Sequence, residues 1–207
     1  MKKAIAGALE QFTIIVDTRE QETFSYFERI DSMQSPIVRR KLDFGDYSAF
    51  TVLQSGEVFS LENRVTVERK MDFDELCSCY CRQRKRFTAE FERAKSAGAK
   101  TYLLVEHASW ETAYTGYYRS NMKPKALIAS LTTWLARYNC ILVFCQPRTT
   151  GFLIKDILYR EMKEMLEMSY NERLQAYERE KEELKSQGLN NKEYEKRVKE
   201  LADKHGI

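Results

Sequence analysis

The stretch that most constrains this chain is Val65-Thr66-Val67-Glu68-Arg69-Lys70-Met71-Asp72-Phe73-Asp74. Val65, Thr66 and Val67 are β-branched or apolar strand formers in a row and read as the start of a strand. Residues two apart on a strand face the same side. Thr66, Glu68 and Lys70 therefore share one face and Arg69 points the other way. A carboxylate and an ammonium at i and i+2 set a ligand for a hard divalent ion beside a cation. Phosphate cleavage uses that pair, the carboxylate to hold the ion and the lysine to orient or stabilise the nucleophile. Asp72 and Asp74 then open a helical pattern.

Two more strand ends carry acids. Ile14-Ile15-Val16 runs into Asp17-Thr18-Arg19-Glu20, and Leu42-Asp43-Phe44 leads to Gly45-Asp46. Taken in order, Asp17-Thr18-Arg19-Glu20, Gly45-Asp46 and Glu68-Arg69-Lys70-x-x-x-Asp74 resemble the XPF-type nuclease domain, a branch of the PD-(D/E)xK nucleases. The resemblance covers roughly residues 12 to 160. It implies a three-layer α/β/α, restriction-endonuclease-like fold and a Mg²⁺- or Mn²⁺-dependent DNA endonuclease. It further implies phosphodiester hydrolysis in branched or flap DNA during repair, recombination or replication, by a domain of a kind that pairs as dimers.

Within this set, Asp46 and Glu68 are the first choices as metal ligands. Asp17 binds a second ion or holds a water, and Glu20 contacts a ligand or a neighbouring base through water. Lys70 is either a cation that stabilises charge on the phosphorus centre or, with its pKa lowered beside a metal, a base. Arg19 and Arg69 hold phosphates or lock the acids. Asp74 caps the following helix or completes the acid cluster.

Arg82, Arg84, Lys85 and Arg86 form the densest basic run. Helical spacing puts Arg82 and Arg86 on one side. Close to the acids they read as a DNA-backbone contact, with a solvated face as the plainer alternative. The family often shows Arg-aromatic-x-x-Gln here, where this chain has Arg86-Phe87-Thr88-Ala89-Glu90. Trp110, Tyr114, Tyr117, Tyr118 and Arg119 form an aromatic cluster with a cation, suited to partly buried loop packing or to stacking on unpaired bases. His107 and His205 receive no role.

Patterning predicts strands over 12–17, Tyr47–Leu53 and Val58–Leu61, with a turn at Gln54-Ser55-Gly56-Glu57. Further strands are expected at Glu68, Thr101–Glu106 and Cys140–Cys145. Helices are expected over Phe24–Ile30 capped by Thr23, as one long helix over 72–97 ended by Gly98, and over Ala126–Tyr138 with Pro124 in the first turn. A last core helix, capped by Thr149 or Thr150, is expected to end near Met168. Alternating strands and helices with an early hairpin imply an α/β fold around a mixed central sheet.

The chain has 207 residues and a formal charge of +3, so any DNA surface is a local patch. No apolar run approaches membrane length, and the apolar stretch after Met1-Lys2-Lys3 is too short for a signal peptide. An intracellular protein is expected, cytoplasmic if prokaryotic or viral, with no membrane partner. The five cysteines fit reduced thiols. Cys77-x-Cys79-x-Cys81 reads as small buried thiols rather than a metal site, because Cys79 points away from the other two on a helix and no histidine is near.

The nuclease domain is expected over 1–168, its core beginning at about 12, followed by a charged helical tail over 169–207. Tyr170, Leu174, Tyr177 and Leu184, then Tyr194, Val198 and Leu201, trace two narrow apolar seams broken at Gly188 and Asn190, a two-helix hairpin. The seams imply packing on the core, on itself or on a second copy, and a homodimer is expected. The tail has no Gly-x-Gly hairpins of the helix-hairpin-helix kind, so a protein partner is expected to supply targeting. Alternatives are a Holliday-junction-resolvase-like nuclease and a catalytically inactive DNA-binding or assembly subunit of the same fold.

Overall fold

The computed structural model describes residues 2–207. The chain groups into two compact units, one over Gly7–Met162 and one holding Lys163–Ile207 with the beginning of the chain. The larger unit is built on a seven-stranded mixed sheet in the order β2-β1-β3-β5-β6-β7, with β4 paired to β3 off that path. The strands are β1 (Thr13–Val16), β2 (Ile37–Arg39), β3 (Tyr47–Val52), β4 (Val58–Ser60), β5 (Val65–Lys70), β6 (Lys100–Glu106) and β7 (Ile141–Cys145). β1 runs parallel to β2 and antiparallel to β3; β3 is antiparallel to β4 and β5; β5, β6 and β7 are mutually parallel. The early hairpin is thus β3–β4, and it makes the sheet mixed as its alternation predicts.

The helices are α1 (Lys2–Glu10), α2 (Phe24–Met33), α3 (Phe73–Tyr80), α4 (Arg84–Ser96), α5 (Trp110–Thr115), α6 (Pro124–Tyr138), α7 (Pro147–Ser186) and α8 (Asn191–His205). Within the larger unit helices cover both faces of the sheet, giving the three-layer α/β/α arrangement expected of the chain. Thr23 caps α2 by accepting from the Tyr26 amide at 3.3 Å, and Pro124 occupies the first turn of α6.

Two helices depart from the sequence reading. The single helix expected over 72–97 is broken at residues 81–83, where Cys81 leaves helical geometry at φ −106°, ψ −86°. Trp134 of α6 explains the bend. The Tyr80 and Phe87 rings both pack on it, at 5.1 and 5.3 Å, and lie 5.9 Å from each other. Seven residues of straight helix would separate their backbones by roughly 10 Å. The contacts are stacked for Phe87 on Trp134, tilted for Tyr80 on Trp134 and edge-on between Tyr80 and Phe87, and such contacts contribute about 1 kcal/mol each beyond area burial. The helix expected to end near Met168 instead begins at Pro147 and continues unbroken to Ser186. Thr149 and Thr150 therefore lie inside it, and Thr150 turns its hydroxyl to Glu106 rather than capping.

In the smaller unit, Asn190 caps α8 through the Glu193 amide. Glu180 of α7 accepts from Lys204 Nζ at 2.6 Å and meets His205 Nε2 at 3.0 Å, and Arg173 donates to the His205 carbonyl. The two helices therefore lie antiparallel, with Tyr177 and Leu201 buried along the two seams. Among the described residues, no helix is long and apolar enough to cross a membrane.

Candidate active site

The site forms where β1, β3 and β5 meet. Tyr47 pairs with Val16 on one side and Val67 on the other. One step further along the strands lie Asp17, Asp46 and Glu68. Backbone bonds lock the corner, with the Asp17 amide donating to the Asp46 carbonyl and the Asp46 amide to the Val67 carbonyl, at 2.8 and 2.9 Å. The left-handed backbone of Gly45, φ +73°, turns the chain into Asp46.

The two faces of β5 carry different chemistry, as the strand period predicts. On one face the buried Lys70 ammonium lies 2.5 Å from Glu68 Oε1 and 3.8 Å from Glu75 Oε1, over the Phe87 ring. Burial pulls its pKa down, but Glu68, Asp46 and Glu75 outweigh that and hold Lys70 charged. Glu68 is pushed up by burial against the pull of Lys70. Its second oxygen, Oε2, is buried with no hydrogen-bond partner.

Asp46 keeps a solvent-facing edge, yet the surrounding protein and then the Glu68 charge hold its carboxyl well above the usual carboxylate range. Lys70 and the Arg69 amide, which donates to Asp46 Oδ2 at 2.8 Å, pull the other way. Two carboxylates crowded together with an orphaned oxygen are a donor set that a hard divalent cation fits, since it supplies the missing positive charge. Among the described residues, no group of three or more His, Cys, Asp or Glu side chains stands in a ligating arrangement.

Asp17, expected as a ligand beside these two, is oriented elsewhere. Oδ1 accepts from the Arg19 amide and Arg19 Nε at 2.7 and 2.6 Å, and Oδ2 from the Leu42 amide at 2.6 Å. Burial opposes its ionisation, but Arg19 and Leu42 hold its pKa low. Asp17 thus fixes the loop that leaves β1, and Arg19 serves as its lock. Glu20 is likewise engaged, accepting from Tyr47 Oη at 2.7 Å and from the buried Arg29 Nη2 at 2.8 Å; Arg29 Nε also donates to Tyr47 Oη.

Arg69, on the other face, makes a two-pronged pair with Glu106, Nε to Oε1 at 2.9 Å and Nη2 to Oε2 at 2.6 Å. Glu106 also accepts from Thr150 Oγ1 at 2.6 Å. Asp74 neither caps α3 nor joins the acids. The cap is Asp72, which accepts from the Glu75 amide at 2.9 Å. Asp74 accepts from the Ser120 amide and Arg119 Nε, fastening the 116–123 loop.

Arg82, Arg84, Lys85 and Arg86 are all exposed. Arg82 sits in the break before α4, so it does not share a helical face with Arg86. Glu90, at the position where the family often has Gln, is buried; its Oε1 accepts from the Gly45 amide at 3.1 Å and lies 3.6 Å from Arg19 Nη2. Cys77 and Cys79 are buried as expected of small thiols, but Cys81 is exposed because the helix ends there.

The sequence reading missed Arg29, Tyr47 and Glu106. A signal existed for two of them. Glu106 ends an apolar strand, as the recognised acids do, and Arg29 falls on the Tyr26–Met33 face of α2 by helical period.

A family model for the ERCC4 domain matches residues 16–155. Two solved structures share the fold. One is XPF from Aeropyrum pernix, at 19% identity and TM-score 0.52, over 72% of this chain and 61% of that one. The other is XPF from Aeropyrum pernix in complex with DNA, at 20% identity and TM-score 0.52, over 73% of this chain and 65% of that one. The chain thus spans under two thirds of the length of either. Among curated proteins, none matches significantly.

Proposed function

The chain belongs to the ERCC4 domain family, and from that premise we propose that it is a divalent-metal-dependent endonuclease acting on branched or flap DNA. The observation that carries the reading is the buried Oε2 of Glu68, left without a partner beside the crowded Asp46 carboxylate. Lys70 pairs with one oxygen of Glu68 and leaves the other as an unsatisfied buried acceptor, which a bound cation would satisfy.

Asp46 and Glu68 would hold Mg²⁺ or Mn²⁺, with Asp17 positioning the corner rather than ligating. Bound there, the ion supplies Lewis-acid stabilisation and lowers the pKa of a water. Lys70, kept charged by its acidic neighbours, stabilises negative charge that develops on the phosphate oxygens. Arg69 and Glu106 hold β5 from the opposite face, so the Asp46 carboxylate meets the Arg69 amide at a fixed point. Arg82, Arg84, Lys85 and Arg86 hold the DNA backbone.

Arrangement as a homodimer completes the proposal and rests on family resemblance. The test is incubation of labelled flap, fork, four-way-junction and plain duplex DNA with Mg²⁺ or Mn²⁺, then with EDTA. Cleavage of branched DNA that EDTA abolishes supports the reading. Binding of branched DNA with no cleavage under either ion would replace it with an inactive scaffold. Preferential cutting of four-way junctions would favour a resolvase.

A further inference from the structure

We propose that the groove between α3 and the 116–123 loop is a single-strand subsite, in which unpaired DNA bases stack on Tyr117 and on the clamped guanidinium of Arg119. Two clefts lie side by side here, of about 760 and 540 Å³, sharing Asp74 and Arg119. Each is within the range of small-ligand sites, roughly 300–1,000 Å³. The first is flanked by Arg82 and the second by His107, Tyr117 and Tyr118.

The aromatic cluster divides in two. Tyr118 packs edge-on against Phe73 and donates its hydroxyl to the Met122 carbonyl, so it supports the loop. Tyr117 does the opposite, leaving 85% of its surface exposed. An aromatic ring so exposed beside a cleft offers a free stacking face.

Arg119 supplies a second plane. Its side chain is 84% exposed, yet Nε lies 2.9 Å from Asp74 Oδ2 and Nη2 lies 3.4 Å from Asp72 Oδ2. The two carboxylates take up in-plane donors and leave the flat faces of the guanidinium free. A planar guanidinium stacks on bases, and a preorganised one loses less freedom in doing so.

Charge and position point to unpaired DNA. Asp72 and Asp74 balance Arg119 and Arg82, so the groove itself does not attract phosphate. It presents planar faces instead, and duplex bases have none to spare. The phosphates of the same strand are met at the rim, where Arg82 leads into Arg84, Lys85 and Arg86. The groove also adjoins the catalytic strand, because Asp72 and Asp74 follow Lys70 by two and four positions. A branched substrate has unpaired bases next to its scissile bond, so the inference rests on the DNA-binding part of the reading above and names the part of the substrate this groove takes.

The test is fluorescence anisotropy in EDTA at about 0.15 M salt, with a labelled oligothymidine of about 12 nucleotides and a duplex of equal length. Tyr117→Ala is expected to weaken single-strand binding by roughly 10-fold and Tyr117→Phe to restore it. Arg119→Lys, which keeps charge but loses the plane, should weaken it as well. Duplex binding should stay within about two-fold of the parent in all three. Equal binding by Tyr117→Ala and the parent, a parallel loss on single strand and duplex, or no single-strand binding by the parent would overturn the proposal. The outcome is separable from the nuclease reading, since hydrolysis is silent in EDTA: a protein that never cuts can still show Tyr117-dependent binding, and one that cuts can lack it.

Discussion

Thr66 fills the space beside Gly45 so closely that a β-carbon added to the glycine would lie 1.8 Å from the threonine hydroxyl oxygen. That hydroxyl is itself held at the Phe44 and Tyr47 carbonyls, at 3.3 and 3.0 Å. The residue before Asp46 must therefore lack a side chain for two reasons, the left-handed φ and the contact. Gly45→Ala is expected to destabilise the fold by about 2–4 kcal/mol, from left-handed strain together with overpacking. Urea unfolding checks it, and Thr66→Ala in the same chain should recover part of the loss but not the share due to φ.

Asp46 and Glu68 repel each other across the β3–β5 corner. Removing one charge should relieve the fold while disabling the chemistry. Asp46→Asn is expected to raise the melting temperature in EDTA by a few degrees, about 1 kcal/mol. It should also abolish the stabilisation that Mg²⁺ or Mn²⁺ gives the parent and lower cleavage by roughly 100-fold or more, about 2.7 kcal/mol. Thermal scans with and without the ion, beside single-turnover cleavage, read all three. A parent whose melting temperature ignores both ions would contradict the ligand assignment.

The Arg69–Glu106 pair makes stability depend on pH with a definite sign. Burial opposes the Glu106 charge, but Arg69 and Thr150 outweigh it and hold the pKa below its usual value of 4.5. A carboxyl whose folded pKa is depressed adds stability that is fully present above its unfolded pKa and is lost as pH falls through the folded one. Glu106→Gln should therefore cost about 3 kcal/mol at neutral pH, with the gap to the parent narrowing as pH falls below about 4.5. Denaturant midpoints at pH 7, 5 and 3.5 would show it. A gap that stays constant with pH would mean that the loss is one of packing alone.

Arg82 and Arg86 are exposed and unlinked to the acid cluster, so they can be removed without disturbing it. The double variant Arg82→Ala, Arg86→Ala should weaken DNA binding across sequences and reduce the slope of log K against log salt by about 1.8. The melting temperature should hold. Titrations at several salt concentrations measure the slope, and an unchanged slope would remove these residues from the phosphate contact.

Much of the architecture was legible because it is written in short periods. The alternation along Val65–Lys70 assigned Glu68 and Lys70 to one face and Arg69 to the other, and the structure keeps that division. The 4-3 spacings after Tyr170 marked the two antiparallel helices, and Gly45 before Asp46 marked the corner. Partner choice was not legible, because it depends on which distant segments the sheet register brings together. Asp17 finds the Leu42 amide, 25 residues away, and Asp74 finds Ser120, 46 residues away. Both acids take backbone donors that no local pattern announces. The break at 81–83 is of the same kind, set by Trp134 more than 45 residues downstream with no proline or glycine to mark it. The sequence by itself determined which residues lie on which face of each strand and helix, because side-chain direction follows the backbone period. Only the tertiary structure decided which acids stay open to a cation and which are held by amides and arginines, because hydrogen-bond donors are allotted by contacts between segments far apart in the chain.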